Sequence, residues 1–371
     1  MANPLFNKNP NITWEIWLNY PEGTRRKALD FAVEWDCTQI INDLGSFSVT
    51  LPMRQMDKLG LLEPELDSII EMRRAAWGSP LTEVFGGFIR AYDYGIDEME
   101  LGGYGWNYLL DSRVVAYYAG SSYASKSAEI DDMLKALARE NLGSLATDTT
   151  RDLSANGLSI DADLAEGAVQ TRAFANKELL DVMRELSFAA VEGGEPVYFG
   201  IEHPTLTTWQ FKTYLGQPGQ DLTTSIQPFS LEAGTLANPH YLIDRRKEVN
   251  RYRVGGQNEG AERTYVTVND TARQAASPWN LRERFLDRRN LEDAQLEGAG
   301  QAALQAAQPV KKFTADLLDV QGSRFNLDWH FGDRVPVRFR GLTFTGLVKA
   351  TTLTVAPDGA ETIQARVEAE L

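Results

Sequence analysis

The chain has three histidines, His203, His240 and His330, so any serine or cysteine triad must draw its general base from these. His203 and His240 each adjoin a proline, and His330 lies between Trp329 and Phe331, contexts that suit loop or half-buried packing. Cys37 is the sole cysteine. It follows Trp35 in an alternating run, where a thiol behaves as a small hydrophobe rather than a nucleophile. One cysteine also excludes an intrachain disulfide and a cysteine-based zinc cluster. There is no G-x-S-x-G elbow, and no H-E-x-x-H or paired histidine to hold zinc. Asp161-Ala162-Asp163 offers two carboxylates but lacks the glycine and later glutamate of a calcium loop, and reads as solvated loop. Gly102-Gly103-Tyr104-Gly105 has neither the spacing nor the following helix of a phosphate cradle, and reads as a strand that bends. Among 52 acidic residues chance alone supplies many carboxylate pairs, so a glycosidase pair has no sequence support. No catalytic, cofactor-binding or metal-ligating residue is assigned.

Arg245, Arg246, Lys247, Arg251 and Arg253 form a basic cluster without interleaved stacking aromatics, which favours a solvated face or an intersubunit salt-bridge row over a nucleic-acid stripe. Trp106, Trp209 and Trp279 are the candidates for stacking on a glycan. Asn11-Ile12-Thr13 matches a glycosylation sequon. Met1 to Asn11 has no apolar core of a secretory signal, so cytoplasmic synthesis is expected. With 37 basic against 52 acidic residues the net charge is −15, the opposite of the basic field that nucleic-acid binding needs. No apolar run approaches the roughly 18 residues of a membrane helix, so a soluble chain without membrane insertion is expected. The length of 371 residues suits two to three domains.

The elements that must position these residues are mostly strands. Leu29, Phe31, Val33 and Trp35 alternate with polar or small residues, and after the Asn42-Asp43-Leu44-Gly45 break Phe47, Val49 and Leu51 alternate up to Pro52. Further strands are predicted at Trp14 to Leu18, Ser68 to Met72, Val84 to Tyr92 and Glu98 to Leu101, with Gly86 and Gly87 marking a bulge or bend. From about Ser121 the period changes. Ile130, Met133, Leu134 and Leu137 mark a helix with Ser127 as N-cap and Gly143 past its end. Leu179, Val182, Met183 and Leu186 mark a second helix, stopping before Gly193-Gly194. Strands follow at Val197 to Ile201 and Thr208 to Tyr214, then at Lys247 to Val254 and Arg263 to Val268. A helix capped by Asn290 is predicted to run to about Ala307, weakened by about 1 kcal/mol at each of Gly298 and Gly300. Val335, Val337 and Phe339, then Leu342 with Phe344, Leu353 with Val355 and Ile363 with Ala365, form short closing strands around an Ala356-Pro357-Asp358-Gly359 turn.

The order of motifs goes further than any one of them. Gly45-Ser46-Phe47-Ser48-Val49-Thr50-Leu51-Pro52, Val84-Phe85-Gly86-Gly87-Phe88-Ile89, Met99-Glu100-Leu101-Gly102-Gly103 and Trp106-Asn107-Tyr108-Leu109-Leu110-Asp111-Ser112-Arg113-Val114-Val115 follow one another. The Ile130 helix, the Ala175 to Leu186 helix, Pro218-Gly219-Gln220-Asp221-Leu222-Thr223 and Gly332-Asp333-Arg334-Val335-Pro336-Val337 come later. This succession resembles the tail hub, or baseplate hub, proteins of long-tailed bacteriophages, related to the central hubs of contractile tails and to the hub part of tail-associated lysins. The resemblance implies an α+β, mainly β fold. Two small β-barrel tube domains, at 1–118 and 233–371, would flank an α+β domain at 119–232, with a helical insertion around 270–310. It also implies a homotrimer whose six barrels form a pseudo-six-fold ring at the virion tail tip, assembled in the host cytoplasm. The implied partners are a distal tail or tail-tube ring protein, a tape measure protein and tail-tip fibre or receptor-binding proteins, with DNA only in transit. Because the sequence stops at Leu371 directly after the last hub strand, no fused lytic activity is expected; separately, no cofactor is expected. The alternatives are a cell-wall hydrolase or a carbohydrate-binding tail-tip protein.

Overall fold

The computed structural model describes residues 11–20, 23, 25–60, 65–117, 123–174, 176–192, 195–318 and 320–369. The stretch before Asn11, together with Ser121, Ala175, Gly193-Gly194 and Leu371, lies outside them. The chain forms two compact units, Met1–Pro239 with Thr314–Leu371, and His240–Phe313.

In the first unit β1 (Ile12–Asn19), β2 (Arg26–Ala28), β3 (Glu34–Ile40) and β4 (Ser46–Pro52) precede helix α1 (Met53–Leu59). Next come β5 (Ile69–Ala76), β6 (Thr82–Tyr94), β7 (Glu98–Gly105) and the short α2 (Tyr108–Asp111). Then follow β8 (Ala124–Glu129), α3 (Ile130–Asn141), β9 (Leu158–Ile160), β10 (Val169–Phe174), α4 (Leu179–Glu192), β11 (Val197–Thr205) and β12 (Thr208–Leu215). After β13 (Leu236–Asp244) the second unit supplies β14 (Arg251–Gly255), β15 (Tyr265–Asn269), α5 (Thr271–Ala275), β16 (Glu283–Asp287) and α6 (Asp293–Ala306). β17 (Val310–Leu317) leads back to β18 (Arg334–Phe339), β19 (Leu342–Val355) and β20 (Glu361–Ala369).

The fold is α+β and mainly β, as expected, but the two separate barrels need correction. A single sheet runs in the order β17-β20-β19-β3-β4-β7-β6-β5-β1-β2, with β18 beside β19, and among the described residues it does not close. The joint is the antiparallel pairing of β19 with β3, from Ala350↔Ile40 to Val355↔Trp35. Each end alone would leave a row of unpaired backbone groups at that edge, and pairing the two edges satisfies both. Trp35, Cys37, Phe47, Val49, Leu51, Met99, Leu101, Leu353 and Val355 fill one face of this joined region, all buried. A bidentate ion pair also ties the ends: Arg74 Nη2 and Nε donate to Glu361 at 2.6 and 3.0 Å, and Trp14 Nε1 adds 2.7 Å.

Local corrections have simple causes. The run from Leu29 begins as a turn, with Leu29 and Ala32 buried and Ala32 N–H on the Leu29 carbonyl, so β3 starts only at Glu34. Ser127 is not a cap; it lies in β8, where its hydroxyl meets Thr171 at 2.9 Å, and Glu129 occupies the N-cap of α3. Glu292, in a capping box with Gln295, replaces Asn290 at the start of α6. Leu342 to Val355 is one long strand, not two, with a register shift between Val348 and Ala350. Residues 247–250 precede β14 as irregular chain, because buried Asn250 spends its side chain on the Asn280 carbonyl and the Arg282 N–H.

The middle of the first unit stacks α3 and α4 on the β10-β8 pair and the β11-β12-β9 sheet. Leu134, Leu137, Leu179, Met183 and Phe211 share one core with Ile69, Phe88 and Trp106. The second unit is a three-stranded sheet, β15-β14-β16, with α6 packed on Val254 and Val268 through Leu296 and Leu304.

Candidate functional site

The face of β3, β4, β7 and β19 opposite the core collects acid and hydroxyl. Antiparallel partners share a face, and the register sets Glu34 against Thr50, Thr50 against Glu100 and Glu100 against Asp93. The adjacent row is Thr354, Asp36 and Ser48. These rows contain no basic residue, and Glu34, Asp36, Ser48, Thr50, Glu100 and Thr354 line a shallow cavity of about 300 Å³. Ser48 Oγ donates to Glu100 at 2.5 Å. Partial burial, with Glu100 and Glu34 adding like charge, pushes the Asp36 carboxyl above its usual range. Such a strip repels polyanions and offers no paired donor to hold one.

Two asparagines and one aspartate hold the frame. Asn42 Oδ1 accepts from Phe199 N–H at 2.8 Å, and its amide donates to Ser187 Oγ at 2.6 Å. Asn107 accepts from Ile201 N–H at 3.0 Å and donates to the Asp43 carbonyl at 2.8 Å. Buried Asp333 accepts from Gln220 N–H at 2.6 Å and His330 N–H at 2.7 Å. The segments Pro218 to Thr223 and Gly332 to Val337 meet here: Gly219 N–H donates to the Gly332 carbonyl, and Arg334 and Leu222 exchange backbone bonds with this strip. Far apart in the sequence, where they read as separate motifs, the two segments form one node through these backbone bonds.

The other candidates disperse. Cys37 is fully buried, and burial pushes its thiol up. His203 lies between Trp106 and Trp209, with ring centroids 4.4 and 5.3 Å away, and its Nδ1 is 3.7 Å from Glu83. His330 Nδ1 is 3.5 Å from Asp333, and His240 is exposed. The histidines therefore do not converge. Asp161 accepts from Gln210 and Asp163 pairs with Arg139; among the described residues no group of three or more metal-ligating side chains converges. A Cβ on Gly103 would lie 2.0 Å from the Phe88 carbonyl oxygen, so this glycine serves strand packing. Trp106 is buried and Trp209 half-buried, whereas Trp279 is 89% exposed.

The basic cluster is largely ion-paired within its own unit: Arg245 with Glu248 at 3.0 Å, Arg246 with Asp244 at 2.6 Å and Arg251 with Glu283 at 3.1 Å. Bonds from Arg246 hold the Asp244 carboxyl down at about 2. Two aromatics accompany the cluster, against the expectation of none: Tyr252 stands between Arg251 and Arg253, and Arg253 lies 4.6 Å over the Tyr265 ring of the neighbouring strand. Leu109 to Val115 anchors α4, since Leu179 N–H donates to the Arg113 carbonyl and Val115 N–H to the Lys177 carbonyl, both at 2.8 Å. Among the described residues no helix is long and apolar enough to cross a membrane.

A long antiparallel sheet and an α+β middle define the class of fold. Residues 13–367 match the Siphovirus ReqiPepy6 Gp37-like protein family, and the chain belongs to it. Solved structures with a similar fold include the tail protein from Neisseria meningitidis MC58, at 12% identity and a TM-score of 0.56 over 96% of each chain. The 43 kDa tail protein of prophage MuSo2 from Shewanella oneidensis is similar at 11% identity and a TM-score of 0.56, over 96% of this chain and 97% of that one. Prophage tail protein gp18 from Listeria monocytogenes EGD-e follows at 9% identity and a TM-score of 0.53, over 95% of this chain and 94% of that one. No curated protein matches the sequence.

Proposed function

We propose that the chain is a non-enzymatic hub of the phage tail tip. Three copies form a ring that continues the tail tube, meets a ring or distal tail protein on one side and tip proteins on the other, and lets DNA pass. The observation that carries this reading is the fold of phage tail proteins over almost the whole chain. The acidic strip supports it. A conduit must not hold the polymer it conducts, and fixed carboxylates repel phosphate over a Debye length of about 8 Å at physiological salt. On this reading Glu34, Asp36, Asp93 and Glu100 line the channel. The N- and C-terminal β segments, joined through β3 and β19, are the two repeated units each copy contributes to a pseudo-six-fold ring.

Immunogold labelling of intact virions tests the location. Label confined to the tail tip is expected, and label on the capsid or along the tube would overturn the assignment. Zymography on peptidoglycan and a glycan panel tests the absence of turnover. Hydrolysis abolished by one carboxylate substitution would replace the hub with a wall hydrolase.

A further inference from the structure

A cavity of about 550 Å³ opens in the first unit, lined by Phe88, Arg90, Tyr108, Arg113, Trp209 and Asp67 among others. Its size falls within the roughly 300 to 1,000 Å³ typical of small-molecule sites. Aromatic rings form much of the wall: Phe88 and Trp209 stack at 6.1 Å with planes 20° apart, and Tyr108 lies 6.2 Å from Phe88. The polar groups are unbalanced toward donors. Trp209 Nε1, Arg90 Nε and Arg113 Nε are all buried without a hydrogen-bond acceptor among the described residues. Arg90 is otherwise engaged, bonded to Asp67 at 2.8 Å and held 4.5 Å over the Tyr108 ring. Arg113 donates through Nη1 only to the carbonyl and hydroxyl of Ser112, at 3.0 and 3.1 Å, and no described carboxylate pairs with it. Two guanidinium groups thus face one carboxylate.

Buried donors without acceptors are costly, and a ligand oxygen relieves that cost. A guanidinium takes a carboxylate in bidentate geometry, and aromatic walls take a flat apolar body. We propose that this cavity binds a small carboxylate with a ring-sized apolar body, the carboxylate on Arg113 and the ring against Trp209. The body can be an aromatic acid or the apolar face of an acidic sugar. The proposal goes beyond the hub reading and stands or falls independently of it, because it concerns the isolated chain.

Calorimetric titration of the full chain with benzoate and benzyl alcohol, and with glucuronate and glucose, tests it. At least one acid is expected to bind about tenfold tighter than its neutral partner, and the tighter acid identifies the body. Arg113→Met should abolish that discrimination, and Trp209→Leu should weaken the preferred acid several-fold. Arg113→Lys, which keeps the charge but loses the fork, serves if the methionine variant does not fold, and should retain only part of the preference. Acids that bind no better than their neutral partners, no saturable binding by any of the four, or full discrimination in the Arg113 variants would each overturn the proposal.

Discussion

Asp333 and Gly219 illustrate how single residues hold this protein together. A Cβ on Gly219 would lie 2.2 Å from Asp333 Oδ1 and 2.8 Å from its backbone nitrogen, so Gly219→Ala must push apart two segments that bond through their backbones. A loss of about 1 to 3 kcal/mol in urea unfolding is expected. Asp131 carries a pH signature. Burial opposes its ionisation, but hydrogen bonds from Lys135, Thr213 and the Leu164 N–H outweigh that and hold the carboxyl below its usual range. Lys135 lies 2.8 Å away, and both side chains are fully buried. A depressed folded-state pKa contributes stability that is complete above the unfolded value of roughly 3.9 and is lost as pH falls through the folded value. Asp131→Asn should therefore cost about 3 to 5 kcal/mol at neutral pH, because buried Lys135 loses its ionic partner. The wild-type and variant stabilities should converge in acid, as denaturation curves across pH will report.

At the scale of elements, α6 gives a paired test. Gly298 has open space where a Cβ would sit, whereas a Cβ on Gly300 would meet Val268 and Val254 at 2.6 and 2.9 Å. Gly298→Ala should stabilise by about 1 kcal/mol through helix propensity, and Gly300→Ala should destabilise despite the same gain, both read by thermal unfolding. On the sheet, the raised Asp36 carboxyl makes the charged form a cost. A folded pKa above the unfolded one removes stability as pH rises through that window, so Asp36→Asn should raise stability at pH 7 and lose that advantage in acid. Sequence periodicity was sufficient for elements such as β4, where Phe47, Val49 and Leu51 are buried in alternation, and α4, whose apolar stripe is continuous. It missed β8, because Ala-Ser-Lys-Ser-Ala-Glu has no apolar alternation and is a strand only through its pairing with β10. It also offered no sign that Cys37 would pair across to Leu353. The acidic strip was illegible for the same reason: Glu34, Asp36 and Glu100 are ordinary members of an acidic chain until the register brings them together.

At the scale of the whole molecule, charge is distributed unevenly. Residues 240–313 hold 13 basic and 10 acidic side chains, leaving 24 basic against 42 acidic elsewhere. Tight, salt-sensitive DNA binding is therefore not expected from the full chain, and a steep fall of affinity with salt in a filter-binding assay would contradict the channel reading. A heterologous interface that closes after three copies leaves no exposed contact to propagate. In the proposed trimer, three chains of 41.4 kDa would give an assembly of about 124 kDa, which a tube ring could template even where the free chain elutes as a monomer. The most direct measurement is an electron-microscopy reconstruction of the tail tip with the copy number counted at its axis. Three copies, with Glu34, Asp36 and Glu100 turned toward the lumen, is the expected result; any other copy number around the axis, or this strip buried against a neighbour, would contradict the account.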